Sequence, residues 1–438
     1  MNTIAIDCGS SFVKAALFDS EGKILKSISK KSPKVDLKEN IFNTAHIETL
    51  TVMVKEIFSS LLADSDNEVN LCVSNEMHGF LLADEKGKPL TDYISWQHEF
   101  GGVKVSNVSA YDILSDVKYR QDIINSGMPL RNGLPNVNLL YLVHGGFLKN
   151  ISYQIYFYTL GDYIIKILTD KEPICHLTNA AATGLLDLRL NRWNENILKD
   201  FFQDIKFPAI GNSTFEVSIQ NKMVKVYPAI GDQQAALYGA GLSDETELSF
   251  NIGTGGQVSK ILSKIKFSAD YQVRPFFNGK YIKTIPHLPS GRALNVYIRF
   301  FEDVLKQFDI TVTEEEIWQK ILDAQSKIDK SDLICDLSFF ENAASQNVTG
   351  SITNIGEYSL NVGNLTKSVI NQMADNFFKA ALKIESDKNS VKKILFSGGV
   401  AKRIKPIRDR ILLNYDCNNY EVAESDTLYG LFKYVNSE

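Results

Sequence analysis

The sequence predicts an α/β protein in two halves, on three observations. A β-rich segment, a glycine turn and a second β-rich segment occupy residues 3 to 18, and the same order returns at residues 248 to 262. Apolar residues spaced three and four apart mark helices after each of these units. The chain has 438 residues, room for two large domains or three ordinary ones at ~150 residues each, and its 44% hydrophobic, 23% charged composition is that of a globular chain with a sizeable core.

Each element follows from its residues. Thr3 to Ile6 is β-rich, Asp7-Cys8-Gly9-Ser10-Ser11 is turn-rich, Phe12 to Phe18 is strand-like, and Asp19 to Lys23 turns the chain into Ile24 and Leu25. Two tight turns thus join three antiparallel strands. Ile47, Leu50, Val54, Ile57 and Leu61 make one buried helix face that covers this sheet. Leu71 to Ser74 and Phe80 to Leu82 read as strands, with residues 75 to 79 as the loop between them. Residues 105 to 200 mix helical stretches with turn-prone segments. Val224 to Ile230 is strand-like, Gly231-Asp232 a turn, and Gln233 to Gly241 a helix of closely packing small residues.

In the second half, Leu248 to Ile252 and Gln257 to Leu262 are strands around Gly253-Thr254-Gly255-Gly256. Leu294, Tyr297, Phe301, Val304 and Phe308 mark one helix face, and Leu365, Val369, Met373, Phe377, Ala381 and Ile384 mark a longer one. Val391 to Phe396 is a strand leading into Ser397-Gly398-Gly399, and a last helix begins near Ser425-Asp426, both good N-caps. A domain boundary falls near residues 241 to 247.

Charge narrows the partners. The 47 Lys and Arg against 52 Asp and Glu leave a net charge of −5, with no cation surplus to neutralise a nucleic acid backbone or an anionic membrane. The five cysteines, Cys8, Cys72, Cys175, Cys335 and Cys417, are odd in number and widely spaced, the usage of a reducing compartment. Met1 to Asp7 carries no basic stretch, and no run of ~18 apolar residues occurs, so the sequence predicts a soluble, unprocessed, cytoplasmic protein. Neither the six histidines nor the cysteines have zinc-type spacing.

Several constellations could carry chemistry. In Asp7-Cys8-Gly9-Ser10-Ser11, followed by Lys14, backbone N–H groups and hydroxyls can face a phosphate, and the carboxylate at the strand end can hold Mg²⁺ through water. Taken alone the same residues make an ordinary polar hairpin. Gly253-Thr254-Gly255-Gly256 is a second such loop, and two of them can clamp a polyphosphate, whose transfer is catalysed largely by positioning and charge neutralisation. No Walker-A or dinucleotide glycine pattern accounts for either loop. Gly398 and Gly399 stand where a strand enters a helix and could let a nucleoside lie on backbone, or be no more than a helix-entry turn. Asp232 is either a helix cap or a general base for a hydroxyl. His78 and Trp96 could bind a sugar through a ring nitrogen and an aromatic face, or be a loop residue and a core residue.

Taken in order, Ile4-Ala5-Ile6-Asp7-Cys8-Gly9-Ser10-Ser11, Met77-His78-Gly79, Gly231-Asp232-Gln233, Gly253-Thr254-Gly255-Gly256 and Ser397-Gly398-Gly399 resemble the FGGY carbohydrate kinases over essentially the whole chain. The resemblance implies two actin-like ATPase (ribonuclease H-like) domains with a central cleft. Residues 1 to 241 would hold the sugar and the first phosphate loop, residues 242 to 438 the second phosphate loop and the adenosine site. It implies ATP and Mg²⁺ as cofactors, with Asp7 and Asp232 at the metal and Asp232 as catalytic base. Met77, His78, Trp96, Asp232 and Gln233 would bind the sugar. Gly9, Ser10, Ser11, Lys14, Gly253, Thr254, Gly255, Gly398 and Gly399 would bind the nucleotide. Glu76 stands where family members commonly carry glutamine.

Leu160-Gly161-Asp162-Tyr163, Thr178-Asn179-Ala180-Ala181, Ile94-Ser95-Trp96-Gln97, Asn251-Ile252-Gly253-Thr254 and Ser359-Leu360-Asn361-Val362-Gly363 look more like sedoheptulokinase than xylulokinase or glycerol kinase. The reaction implied is ATP plus sedoheptulose giving the 7-phosphate, with a xylulokinase or other ketopentose or polyol kinase as the alternative. The partners implied are sugar and ATP, with no nucleic acid and no membrane, on a monomer or homodimer. Two other classes remain: a catalytically inactive sugar- or nucleotide-sensing scaffold, and an actin-like or chaperone-like ATPase without a small-molecule acceptor.

Overall fold

Asn2–Cys8 (β1), Phe12–Phe18 (β2) and Ile24–Lys31 (β3) form the expected meander, followed by Ala45–Ala63 (α1) and Glu68–Asn75 (β4). Leu177–Ala182 is α2, Phe215–Ile219 and Lys222–Val226 are β5 and β6, Ile230–Gly231 is β7, and Asp232–Gly239 is α3. Then come Glu247–Ile252 (β8), Gly256–Leu262 (β9), Gln272–Pro275 (β10), Tyr281–Leu288 (β11), Gly291–Gln307 (α4), Val362–Ile384 (α5), Lys393–Ser397 (β12), Gly399–Arg403 (α6), Tyr420–Val422 (β13) and Thr427–Ser437 (α7). The structure, a computed structural model, describes every residue except 36, 38, 39, 341, 342, 344–347, 418, 424–426 and 438. Ser425 and Asp426, read from the sequence as the N-cap of the last helix, lie outside the described residues.

The first unit comprises Met1–Ala240, Ser263–Tyr281 and Asp426–Glu438. Its sheet runs β5-β6-β4-β1-β2-β3, with β7 beside β4. β1 is antiparallel to β2 and parallel to β4, while β6 and β7 are both parallel to β4. Nearly every residue of β1 and β4 is buried, as in a sheet covered on both faces. α1 buries Ile47, Leu50, Val54, Ile57 and Leu61 as their spacing predicts, in one cluster with Ile4, Ile6, Leu71 and Val73. Burying each such side chain contributes ~1.5–3 kcal/mol. The single strand expected over Val224 to Ile230 is two short ones, because Pro228 between them has no N–H to give the ladder.

The expected cut into 1–241 and 242–438 is corrected in two places. Ser263–Tyr281 and the last helix return to the first unit. α7 packs on α3 so closely that a Cβ added at Gly430 would lie 1.9 Å from the Ala235 carbonyl oxygen, and Lys433 Nζ donates to the Gly239 carbonyl at 3.1 Å.

The second unit comprises Gly241–Leu262 and Ile282–Ser425. Its sheet runs β11-β9-β8-β12-β13, with β8 antiparallel to β9 and parallel to β12, and β12 parallel to β13. α5 buries all six residues of its predicted stripe. The α4 stripe is buried only at Leu294 and Tyr297, with Ile298 beside them. Val304 is 38% and Phe308, just past the helix end, 72% exposed, so the stripe outruns the surface it packs on. All five cysteines are free thiols. Among the described residues, no helix is long and apolar enough to cross a membrane.

Candidate active site

Three parallel strands of the first unit, β1, β4 and β7, end at one edge of the sheet. Their register pairs Asp7 with Ser74, Cys8 with Asn75, and Asn75 with Gly231. Carboxyl ends of parallel strands are where open α/β sheets place ligands. Here the edge delivers Asp7, Glu76 and Asp232, each only partly buried. Asp232 begins α3 instead of lying in a turn, and Gly231 is its N-cap. The α3 entry is fixed by the Gly231 N–H donating to Thr178 Oγ1 at 3.0 Å, and by the Gln233 N–H donating to Asp232 Oδ1 at 2.7 Å.

The electrostatics follow from this crowding. Desolvation, then the like charges of Asp7 and Glu76, push the Asp232 carboxyl up to about 7, while the Gln233 N–H and the Arg274 charge pull the other way. Glu76 is also raised by burial, against the hydrogen bond that Trp96 gives it. Ser74 Oγ donates to Asp7 Oδ1 at 2.8 Å. Like-charged carboxyls with too little positive charge suit a dication. Among the described residues no three His, Cys, Asp or Glu side chains form a metal cluster. Asp7 and Asp232 would supply two oxygens, and Mg²⁺ commonly keeps water and phosphate oxygens for the rest. The residues therefore fit the ion.

The residues expected from the sequence to face a sugar lie in the same unit. His78 has a left-handed backbone with φ 65°, a conformation that costs energy outside glycine. Its Nδ1 lies 2.8 Å from the Ala182 carbonyl, which can only accept, so Nδ1 carries the hydrogen. Gly79 lets Tyr93 close on the loop, since a Cβ there would meet the phenol oxygen at 2.1 Å. Trp96, read as a core residue or a sugar platform, is 41% exposed, and its indole N–H donates to Glu76 Oε1 at 3.0 Å.

Sequence reasoning missed Arg274. It is buried on β10 with Nε 3.2 Å and Nη2 2.6 Å from Gln272 Oε1, Nη1 on Gln233 Oε1, and Met77 Sδ at 3.9 Å. Arginine has only donors, so both glutamine amides are oriented by it. The available signal was Gln272 and Arg274 two residues apart, hence on one face of a strand. Asn179 was noted without a role: its Nδ2 donates to Asn75 Oδ1 at 2.8 Å and to the Ala229 carbonyl at 2.9 Å, tying α2 to the strand ends.

Of the first-loop residues, Ser10, Ser11 and Lys14 are exposed and Gly9 is half-buried, with Lys14 paired to Asp7 across the hairpin. In the second unit, β8 and β12 run parallel with Asn251 opposite Ser397, which brings the two glycine turns together. Gly398 has φ 90°, and a Cβ on it would lie 2.6 Å from the Ile252 carbonyl carbon. The Gly253 carbonyl accepts from the Gly291 N–H at 2.9 Å and from Ser290 Oγ at 2.7 Å, and the Thr254 carbonyl accepts from the Arg292 N–H at 2.9 Å. Gly255 and Gly399 have open space where a Cβ would stand.

The description "FGGY family of carbohydrate kinases, N-terminal domain" belongs to the family model that matches residues 2–239. The chain belongs to this family. Among curated FGGY relatives, a glycerol kinase of Clostridium perfringens is 23% identical over 274 residues, covering 58% of this chain and 53% of the relative. A xylulose kinase of Lactococcus lactis is 26% identical over 327 residues, covering 68% and 61%. The aligned part thus spans only about half to three fifths of these relatives' length. The ligand-bound xylulose kinase of Lactobacillus acidophilus superposes with a TM-score of 0.81 over 100% of this chain and 90% of that one, at 21% identity. The fold is the actin-like, two-domain α/β ATPase fold of FGGY kinases.

Proposed function

We propose that the protein is an ATP- and Mg²⁺-dependent carbohydrate kinase of the cytoplasm that phosphorylates a terminal hydroxyl of a ketose. The observation that carries this reading is Asp232: a carboxyl held near neutrality at the start of α3, next to Gln233 and within the field of Asp7 and Glu76. Such a group can take the proton of an acceptor hydroxyl as its oxygen attacks the γ-phosphorus and the bond to the β-phosphate oxygen breaks. Met77, His78, Trp96 and Gln233 hold the sugar in this reading. Gly9, Ser10, Ser11 and Lys14 contact phosphate, and Gly253, Thr254, Gly255, Gly398 and Gly399 hold the nucleotide. Mg²⁺ at Asp7 and Asp232 would neutralise phosphate charge when bound.

Sedoheptulose is the first candidate acceptor, on the sequence stretches that resemble sedoheptulokinase. A ketopentose is the second reading, favoured by the likeness to the xylulose kinases of Lactococcus lactis and Lactobacillus acidophilus. A coupled ADP-release screen over sedoheptulose, xylulose, ribulose, gluconate and glycerol separates them. Activity on a ketopentose with none on sedoheptulose sinks the first candidate. ATP turnover indifferent to every sugar sinks the kinase reading itself.

A further inference from the structure

β7 is only Ile230–Gly231, yet it leads directly into Asp232 and so fixes where that carboxyl stands. Two neighbouring residues of α2 grip it from either end. Asn179 Nδ2 donates to the Ala229 carbonyl at 2.9 Å, and Thr178 Oγ1 accepts from the Gly231 N–H at 3.0 Å. The second grip depends on a third residue, because a hydroxyl is both donor and acceptor and turns to suit its neighbours. His176, the N-cap of α2, has its Nδ1 2.8 Å from Thr178 Oγ1. We propose that His176 and Thr178 are a positioning pair for Asp232, a role that rests on the reading of Asp232 as the base. His176 Nδ1 takes the hydroxyl hydrogen, which leaves Oγ1 to accept from the Gly231 N–H and holds the start of α3 in place.

Each hydrogen in this chain of groups has one place. The Thr178 backbone N–H can only donate, and it reaches Nδ1 at 3.2 Å, so Nδ1 carries a lone pair and the ring hydrogen sits on Nε2. The Gly231 N–H can likewise only donate, so Oγ1 is the acceptor there. The hydroxyl hydrogen therefore runs from Oγ1 to Nδ1, the only acceptor that Thr178 Oγ1 meets among the described residues. Thr178 is fully buried, so bulk water offers no substitute. Burial also pulls the His176 ring down to about 4, which keeps it neutral and its Nδ1 lone pair available at physiological pH. Without that lone pair the hydroxyl hydrogen and the Gly231 N–H would compete as two buried donors with no acceptor between them, an arrangement folded proteins avoid. Catalysis is sensitive to such slack, since misplacing a reacting group by about 1 Å costs ~10²-fold in rate.

Coupled ADP release with sedoheptulose and with xylulose, together with amide hydrogen exchange of the peptide that carries Gly231, tests this on the full chain. Thr178→Val keeps the side-chain shape and removes the hydroxyl. Its kcat should fall about tenfold or more with the sugar KM within about twofold, and exchange at Gly231 should quicken about tenfold. His176→Phe keeps a ring, removes the lone pair and should do the same. Thr178→Ser retains the hydroxyl, and the side-chain oxygen in His176→Asn can cap α2 in place of Nδ1, so both should stay near wild type in both readouts. Equal losses in Thr178→Ser and Thr178→Val, or in His176→Asn and His176→Phe, would reduce the pair to packing and overturn the proposal. So would a raised KM at unchanged kcat, unchanged exchange in Thr178→Val, or wild-type kcat in Thr178→Val while Asp232→Asn is inactive. Wild-type turnover in Asp232→Asn would instead sink the base reading, and the pair's part in the reaction with it.

Discussion

Arg274 donates from Nη1 to Oε1 of Gln233, the residue directly after Asp232 in α3. Two of the side chains proposed to hold the sugar, Gln233 and Met77, therefore rest on one guanidinium that also holds Gln272. Lysine cannot reproduce a fork spanning two amides. Arg274→Lys should raise the KM for the sugar about tenfold or more with a smaller change in kcat. Arg274→Met should additionally lower stability by ~1–3 kcal/mol for each buried acceptor left unpaired. Steady-state kinetics with urea unfolding reads both, and an unchanged KM in both variants would show that the guanidinium does not orient the sugar contacts.

Asp232 links activity to stability. Its carboxyl titrates near 7 when folded, against an ordinary value of 3.8. A raised carboxyl holds its proton better in the folded chain, so folding loses stability as pH climbs from ~4 to ~7, and the loss persists above. Asp232→Asn removes that cost. Its Tm should rise at pH 8 and change little at pH 4, while sugar-dependent ADP release falls ~10²–10⁴-fold. A variant with wild-type turnover would remove Asp232 as the base.

The same group sets the pH profile. Only the ionised carboxylate accepts a proton, so kcat/KM should fall about tenfold per pH unit below about 7 at low Mg²⁺. Saturating Mg²⁺ favours the charged form and should move this limb to lower pH. A profile flat from pH 5.5 to 8, or one that Mg²⁺ does not shift, contradicts the assignment.

Two glycines of the second unit separate protein strain from nucleotide contact. Gly398 combines φ 90° with no room for a Cβ, so Gly398→Ala should unfold more easily, by ~1 kcal/mol or more, and bind ATP poorly. Gly255 has open space around its Cβ position, so Gly255→Ala should keep the wild-type Tm. A raised KM for ATP in Gly255→Ala, with that Tm, is the signature of backbone close to a phosphate. An unchanged KM would remove Gly255 from the nucleotide site.

Much of the first unit was legible because its signals are local. The Gly9 hairpin, the α1 stripe and the β8–β9 glycine turn each sit within a few residues, where turn chemistry and periodicity act. For Arg274 the sequence offered only the two-residue spacing from Gln272, and β10, four residues long and buried throughout, has no alternation to say which way that face looks. The return of Ser263–Tyr281 and of α7 to the first unit depends on long-range packing, which no local pattern encodes. Val304 and Phe308 erred the other way: apolar spacing says which residues share a face, and only the neighbouring element decides how far that face is covered.

The packing of α7 on α3 has a consequence for biosynthesis. α3, which begins with Asp232, leaves the ribosome about 190 residues before α7, and nearly the whole second unit is made in between. At roughly 5–20 residues per second, the helix waits ~10–40 s for its cover. Until then the face of α3 that receives Gly430 lacks its cover, so the packing of the first unit is completed only when α7 has been made.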